Sequence, residues 1–251
     1  MRTIGAELQA HFAEEATTLC HAWRVSRRDG MVLCWGNNDQ GQSGVGTQRS
    51  DWCTSFYCVI TPTRVATDIN GAAFASTRVS AGQNHSCALD AAGAVFCWGY
   101  NFNGQTGVPS LGQVWQPTAA ASGKRFTAIS AGNRTTCAVE PGATWCWGLI
   151  NDGGPGSFSL NGDQSTGVVR SSWAPLAIQP SSANYQAVSV GNMHACMQTN
   201  VWGFTEINCI GRNDFGAFKY QALTILSPSL AEEATHLLTA GVEQCFSPSS
   251  D

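Results

Sequence analysis

The sequence predicts an all-β repeat protein. Three observations carry that expectation: a hairpin with cysteines in register, its recurrence along the chain, and a composition rich in turn formers. The hairpin lies in VSAGQNHSCALDAAGAVFCWGYNFNGQTG (79–107). Residues 84–89 and 94–98 supply β-branched and aromatic side chains, and Asp90-Ala91-Ala92-Gly93 between them supplies turn chemistry. A turn centred on Ala92 sets Val95 opposite Leu89, Phe96 opposite Ala88 and Cys97 opposite Cys87. Two cysteines facing each other across a hairpin are placed to bond. Asn101, Asn103, Gly104 and Gly107 then break the chain again. With 27 Gly and 9 Trp among 251 residues, and only 12% charged, the composition suits many short strands and tight turns.

The unit recurs. In ISAGNRTTCAVEPGATWCWG (129–148) a turn at Pro141-Gly142 sets Cys137 opposite Cys146. SVGNMHACMQTNVWGFTEINCIGRNDFG (189–216) keeps both ends and lengthens the turn, with Cys196 and Cys209 in the two places and Ile210 where the other units have tryptophan. MVLCWGNNDQGQSG (31–44) is a second half and HLLTAGVEQC (236–245) a first half. Second-half cysteines fall at 34, 97, 146 and 209, in steps of 63, 49 and 63. A period of about 50 residues with insertions marks a repeat array, in which length is a poor guide to domain count.

The pattern AGxxHSCAL…VxCWGxNxxGQxG resembles the repeats of the regulator of chromosome condensation family of β-propellers, and its cysteine-paired form is similar to bacterial secreted members and crinkly-type receptor ectodomains. It covers about 31–246. The resemblance implies a β-propeller of four-stranded antiparallel blades, usually seven; the four cysteine pairs here point to four complete blades or four and a fragment. Family relatives imply protein binding, and in some members guanine-nucleotide exchange.

Net charge is −4, which argues against a nucleic-acid groove because such a groove needs a basic face. No run of 18 apolar residues is present, so no membrane span is expected. The 11 cysteines recur as separated pairs without CxxC clustering. That pattern favours disulfides over a metal or iron–sulfur site, and neither metal nor cofactor is expected. Each bond would close a short loop and stabilise by roughly 2–3 kcal/mol in the chain-entropy model.

Residues 1–19 read as a short helix with Leu8, Phe12 and Ala16 on one face; they have neither the basic start nor the long apolar core of a secretory signal. LQAHFAEEATTLCHAWRVSRRDGMVL (8–33) resembles the opening of a tail-tip protein family of gene transfer agents and related phages. That likeness implies assembly without a signal peptide, thiol oxidation after lysis, and a location on a virion or outside the cell. Residues 1–30 are thus an N-terminal helix and hairpin, a candidate tail attachment, and 31–251 the repeat domain. Two pairings compete at Cys34. A turn at Arg27-Arg28-Asp29-Gly30 sets Cys20 opposite Cys34, whereas Cys34 with Cys245 would let C-terminal strands complete the first blade.

Insertions are expected at 45–64 and 149–175. In the first, Cys53 and Cys58 bracket a short loop whose Trp52, Phe56 and Tyr57 are candidate contacts for a partner, since rigid aromatics give contact area at low entropy cost. The second is Gly/Ser/Asn/Asp-rich and reads as loop, carrying Trp173; the connection 112–121 carries Trp115. Both tryptophans join the candidate binding residues. Catalysis finds no support: His85 and His194 share a repeat position with Thr135, which suits a strand hydrogen-bonder better than a general base, and no GxSxG, HExxH or phosphate loop occurs. The expected function is non-enzymatic recognition. The first version is a phage-like tail-tip or baseplate component contacting a cell-surface receptor or another tail protein. The alternative is a secreted or periplasmic propeller binding a protein partner, and an exchange-factor role stands third.

Overall fold

The computed structural model describes residues 23–26, 30–46, 51–53, 56–66, 75–110, 112–152, 169–178, 185–192, 194–201, 204–211 and 222–225. They form sixteen strands in four four-stranded sheets. In the first sheet, β1 (Trp23–Ser26), β2 (Val32–Asn37), β4 (Phe56–Arg64) and β3 (Asp51–Cys53) lie side by side in that order. The second runs β5 (Arg78–Ala81), β6 (His85–Leu89), β7 (Val95–Tyr100), β8 (Gln113–Ala120). The third runs β9 (Ala128–Ala131), β10 (Thr135–Glu140), β11 (Ala143–Asp152), β12 (Val169–Ala177), and the fourth β13 (Tyr185–Val190), β14 (His194–Val201), β15 (Phe204–Gly211), β16 (Ala222–Ile225). Every pairing is antiparallel. These are the expected blades. The expected helix at 1–19 and the half-unit at 236–245 lie outside the described residues.

The cysteine registers stand as the turns dictate. Cys87 faces Cys97, Cys137 faces Cys146 and Cys196 faces Cys209, each pair bonded with Cα atoms 4.0–4.1 Å apart. Cys53–Cys58 is bonded as well. The first hairpin departs from expectation: Arg24, not Cys20, lies opposite Cys34. The strands pair about position 29, inside the expected Arg27–Gly30 turn, whereas Cys20 opposite Cys34 would need a centre at 27. Cys34 is buried; Cys20 and Cys245 lie outside the described residues.

A register shift follows the second-half cysteine in three sheets, between Cys34 and Gly36, Cys97 and Gly99, and Cys146 and Gly148. The outer strand advances four residues there while the cysteine strand advances two, through Val59–Thr63, Val114–Thr118 and Ser172–Leu176. Each of these segments carries a proline, which cannot donate to a ladder and belongs at a bulge or sheet edge. Bulges of this kind re-aim the residue between cysteine and glycine, which is Trp35, Trp98 or Trp147. Trp98 and Trp147 are completely buried.

Blades pack in chain order, β5 beside β9 and β9 beside β13. Near these inner strands the contact is made by glycine. A Cβ on Gly82 would lie 2.2 Å from the carbonyl oxygen of Gly132, and one on Gly132 would lie 2.2 Å from that of Gly191. The backbone N–H of Gln83 donates to Gly132 O, 3.1 Å away. Ala131 N–H donates to Ser80 Oγ and Val190 N–H to Ser130 Oγ, at 2.8 and 3.0 Å, so one serine position links successive inner strands.

Further out, the GQSG and GQTG turns receive the next blade. The Gln42 carbonyl accepts from Ser86 Oγ at 2.9 Å and Trp98 Nε1 at 3.0 Å. The Gln105 carbonyl accepts from Thr136 Oγ1 at 2.7 Å, with the Trp147 indole against Gly107. A Cβ on Gly44 would sit 2.6 Å from Trp98 Nε1, and its φ is +67°. Gly142, at φ +86°, meets nothing within 4 Å. Gly142→Ala should cost about 1–2 kcal/mol from the backbone alone. Gly44→Ala should add a further ~1–3 kcal/mol of overpacking. Urea unfolding checks this; equal losses at the two sites would contradict the packing.

Candidate functional site

The exposed hairpin of the first sheet is where the structure departs from the repeat. Its β3 is additional to the cysteine-strand and outer-strand pair that all four sheets share. Asp51 lies opposite Cys58, Trp52 opposite Tyr57 and Cys53 opposite Phe56, so the bridge runs diagonally between the two rungs that flank the Trp52–Tyr57 pair. Trp52 and Tyr57 stack edge to face, centroids 5.0 Å apart, and are 64% and 40% exposed. Phe56 is half-buried. The hairpin is held to the blade from below: Tyr57 N–H donates to Asp39 Oδ1 at 2.7 Å, and Asn38 N–H donates to the Tyr57 carbonyl at 2.8 Å. The aromatic pair is therefore fixed by the bridge on one side and the Asn38–Asp39 turn on the other, and such an arrangement loses little entropy on contact. Ile60, 64% exposed, extends the apolar surface along β4.

The other two candidate tryptophans are differently placed. Trp115 lies on β8 and Trp173 on β12, in strands and not in connecting loops. A Cβ on Gly41 would touch Trp115 Cε3 at 3.0 Å, and one on Gly104 would touch Trp173 Cδ1 at 2.8 Å. Both tryptophans lie against the glycine turn of the preceding blade. With Ile60 they form a repeat position, ITP, WQP and WAP, just before the outer-strand proline. That shared tripeptide was the available signal. It also shows that 56–64, 113–120 and 169–177 are outer strands, so among the described residues of the first blade the addition to the repeat is the β3 hairpin.

A second feature is a polar cleft where the first three sheets meet, with a volume of about 260 Å³. Asp39 and Gln40 line it from the first sheet, Tyr100 and Gln105 from the second, and the AGQN and AGNR turns contribute Gln83, Asn84, Asn133 and Arg134. Sequence reasoning missed it, because each residue belongs to a repeat motif and only the stacking of blades gathers them.

His85 behaves as a strand hydrogen-bonder. The Thr136 hydroxyl gives its proton to the Gln105 carbonyl, so the 2.8 Å contact with His85 Nε2 has the histidine as donor. Among the described residues no three His, Cys, Asp or Glu side chains gather as a metal site, and no helix is long and apolar enough to cross a membrane.

The repeat model described as "Regulator of chromosome condensation (RCC1) repeat" matches residues 29–89 and 92–139, and a second model of the same description matches 77–105. The RCC1 domain-containing protein RUG3, mitochondrial, of Arabidopsis thaliana is 30% identical over 128 residues, 50% of this chain and 26% of that protein. The human probable E3 ubiquitin-protein ligase HERC3 is 32% identical over 136 residues, 53% of this chain and 12% of its own. Among solved structures, Prp20p of Saccharomyces cerevisiae aligns with TM-score 0.57 at 18% identity over 88% of this chain and 45% of that one. Human WBSCR16 aligns with TM-score 0.56 at 20% identity over 75% and 44%. The chain thus spans about a quarter or less of these curated relatives and under half of these structures.

Burial lowers the His194 pKa from its ordinary value of 6.5. Its folded pKa lies below the unfolded one, so the unfolded state takes up the proton first. Stability is retained above the unfolded pKa and declines as pH falls through it. Thermal melts between about pH 7.5 and 5 should show that decline, and His194→Thr, the residue at the equivalent position 135, should flatten it. An unchanged slope would assign the pH dependence elsewhere. The repeats, the blade registers and the structural neighbours together give this chain the fold of an RCC1-like β-propeller.

Proposed function

We propose that the chain is a non-enzymatic protein-recognition module whose principal contact is the Cys53–Cys58 hairpin. One observation carries this reading: a cross-strand Trp52–Tyr57 pair stands exposed on an added, doubly anchored hairpin, while the repeat tryptophans Trp98 and Trp147 are completely buried. Exposed aromatics with fixed backbones are the residues that dominate binding energy at protein interfaces. The company the fold keeps supports it. The Prp20p structure is described with its binding to Gsp1p and histones, and yeast RCC1 (Prp20) was solved bound to Kap60. The matched repeats favour a regulatory, protein-binding propeller of the exchange-factor type over a tail-tip component. Residues 8–33, which carried the tail-tip expectation, fall almost wholly outside the 29–139 stretch matched by the repeats.

A photo-reactive side chain at position 57 should cross-link a partner that one at exposed Thr61 does not. For that partner, Trp52→Ala with Tyr57→Ala should cost on the order of 2 kcal/mol or more, about thirty-fold in affinity. The thermal transition should hardly move, because the hairpin is anchored through backbone atoms and the bridge. Normal affinity in the double variant would remove the hairpin from the interface.

A further inference from the structure

Comparison of two equivalent turns assigns a ligand class to the polar cleft. The turns GNNDQGQSG (36–44) and GYNFNGQTG (99–107) align without gaps. In the first, Gln42 is satisfied at both ends: its Oε1 accepts from Gln40 N–H at 2.8 Å and its Nε2 donates to Asn37 Oδ1 at 2.9 Å. In the second, Gln105 Oε1 accepts from Asn103 N–H at 3.0 Å in the same way. The residue equivalent to Asn37 is now Tyr100. Gln105 is fully buried, and its Nε2 has no acceptor. A buried amide donor without an acceptor is costly. Here that donor belongs to a residue lining the cleft, and the tyrosine that deprived it of a partner lines the cleft too.

The same turn makes a second exchange. Phe102 replaces the equivalent of Asp39 and is 52% exposed, its ring 5.0 Å from that of Tyr100 and tilted by 35°. Two departures from the repeat thus set one aromatic ring, Tyr100, in a lining of amides, with Phe102 outside the lining and packed on that ring. The charged liners, Asp39 and Arg134, are one of each sign. An anion would meet the carboxylate and a cation the guanidinium, so neither is favoured. A neutral ring that offers hydroxyls as both donors and acceptors, and a C–H face to an aromatic, suits every group present. At about 260 Å³ the cleft is just below the size of pockets for drug-sized ligands, with room for one or two rings.

We propose that this cleft binds a neutral saccharide, with Gln105 Nε2 donating to a ring or hydroxyl oxygen and Tyr100, held by Phe102 packed on it, bearing its apolar face. This goes beyond the protein-recognition reading and stands independently of it, since the Trp52 and Tyr57 side chains do not line the cleft. The test uses the full chain and a panel of methyl glycosides of glucose, galactose, mannose and N-acetylglucosamine, read by saturation-transfer NMR and titration calorimetry. At least one should bind, with Kd in the region of 1 mM or tighter. Tyr100→Asn restores the acceptor that Gln42 has in the first turn. It should leave the thermal transition no lower while weakening that glycoside at least about ten-fold. Phe102→Ala, at an exposed site, should weaken it without affecting the fold, and Trp52→Ala should leave it unchanged. Failure of every glycoside to bind the wild-type chain, or unchanged affinity in both Tyr100→Asn and Phe102→Ala, would overturn the proposal.

Discussion

A single buried carbonyl, that of Gln42, holds one blade to the next, and most of the sequence pattern follows from supplying its partners. Ser86 and Trp98 both donate to it from the adjacent sheet. For the indole to arrive, the strand must bulge after Cys97, Gly99 must accept a φ of +105°, and Gly44 must have no Cβ. The outer strand absorbs the bulge by carrying a proline segment past it. The next junction repeats the hydroxyl half of the scheme, with Thr136 on the Gln105 carbonyl, whereas Trp147 Nε1 is buried there without an acceptor. Disulfides across the β6–β7 and β10–β11 hairpins then keep the tryptophan strand and its neighbour in one register. The motif CWG…GQ[ST]G is the set of residues such a junction requires.

Because these positions are committed, function is sought where a blade departs from the scheme. The first blade does so by adding β3, which exposes an aromatic pair on a pinned hairpin. The second does so by placing Tyr100 and Phe102 where the first has Asn37 and Asp39. Both departures meet at the 37–40 turn: Asp39 holds the Tyr57 backbone and also lines the cleft. One anchored turn thus supports two surfaces of different chemistry.

Much of this was legible in the sequence. The pairing of Cys87 with Cys97 and of Cys137 with Cys146 follows from turn chemistry alone, because a tight turn fixes hairpin register. The Cys196–Cys209 pairing was legible through repeat equivalence, but the extra residues there extend the paired strands as far as Val201 and Phe204 and do not lengthen the turn. The β1–β2 register was not, since Arg27 through Gly30 offer several turn centres and only packing selects among them. Outer strands were hidden by their prolines, which read as breakers in isolation yet mark the bulged edge once Ile60, Trp115 and Trp173 are aligned. The cleft was illegible for a different reason. Its residues come from turns tens of positions apart, and a donor without an acceptor at Gln105 is a property of three-dimensional placement.

The account rests on the shared carbonyl, and a double-mutant cycle tests it most directly. Ser86→Ala and Trp98→Phe each remove one donor and leave the other in place. Together they strand a buried carbonyl, at a desolvation cost of about 1–3 kcal/mol that neither single change incurs. Urea unfolding should therefore show the double variant losing more stability than the two single losses combined, by at least about 1 kcal/mol. Additivity to within about 0.5 kcal/mol would mean that the two donors act separately and that the junction is held by packing alone.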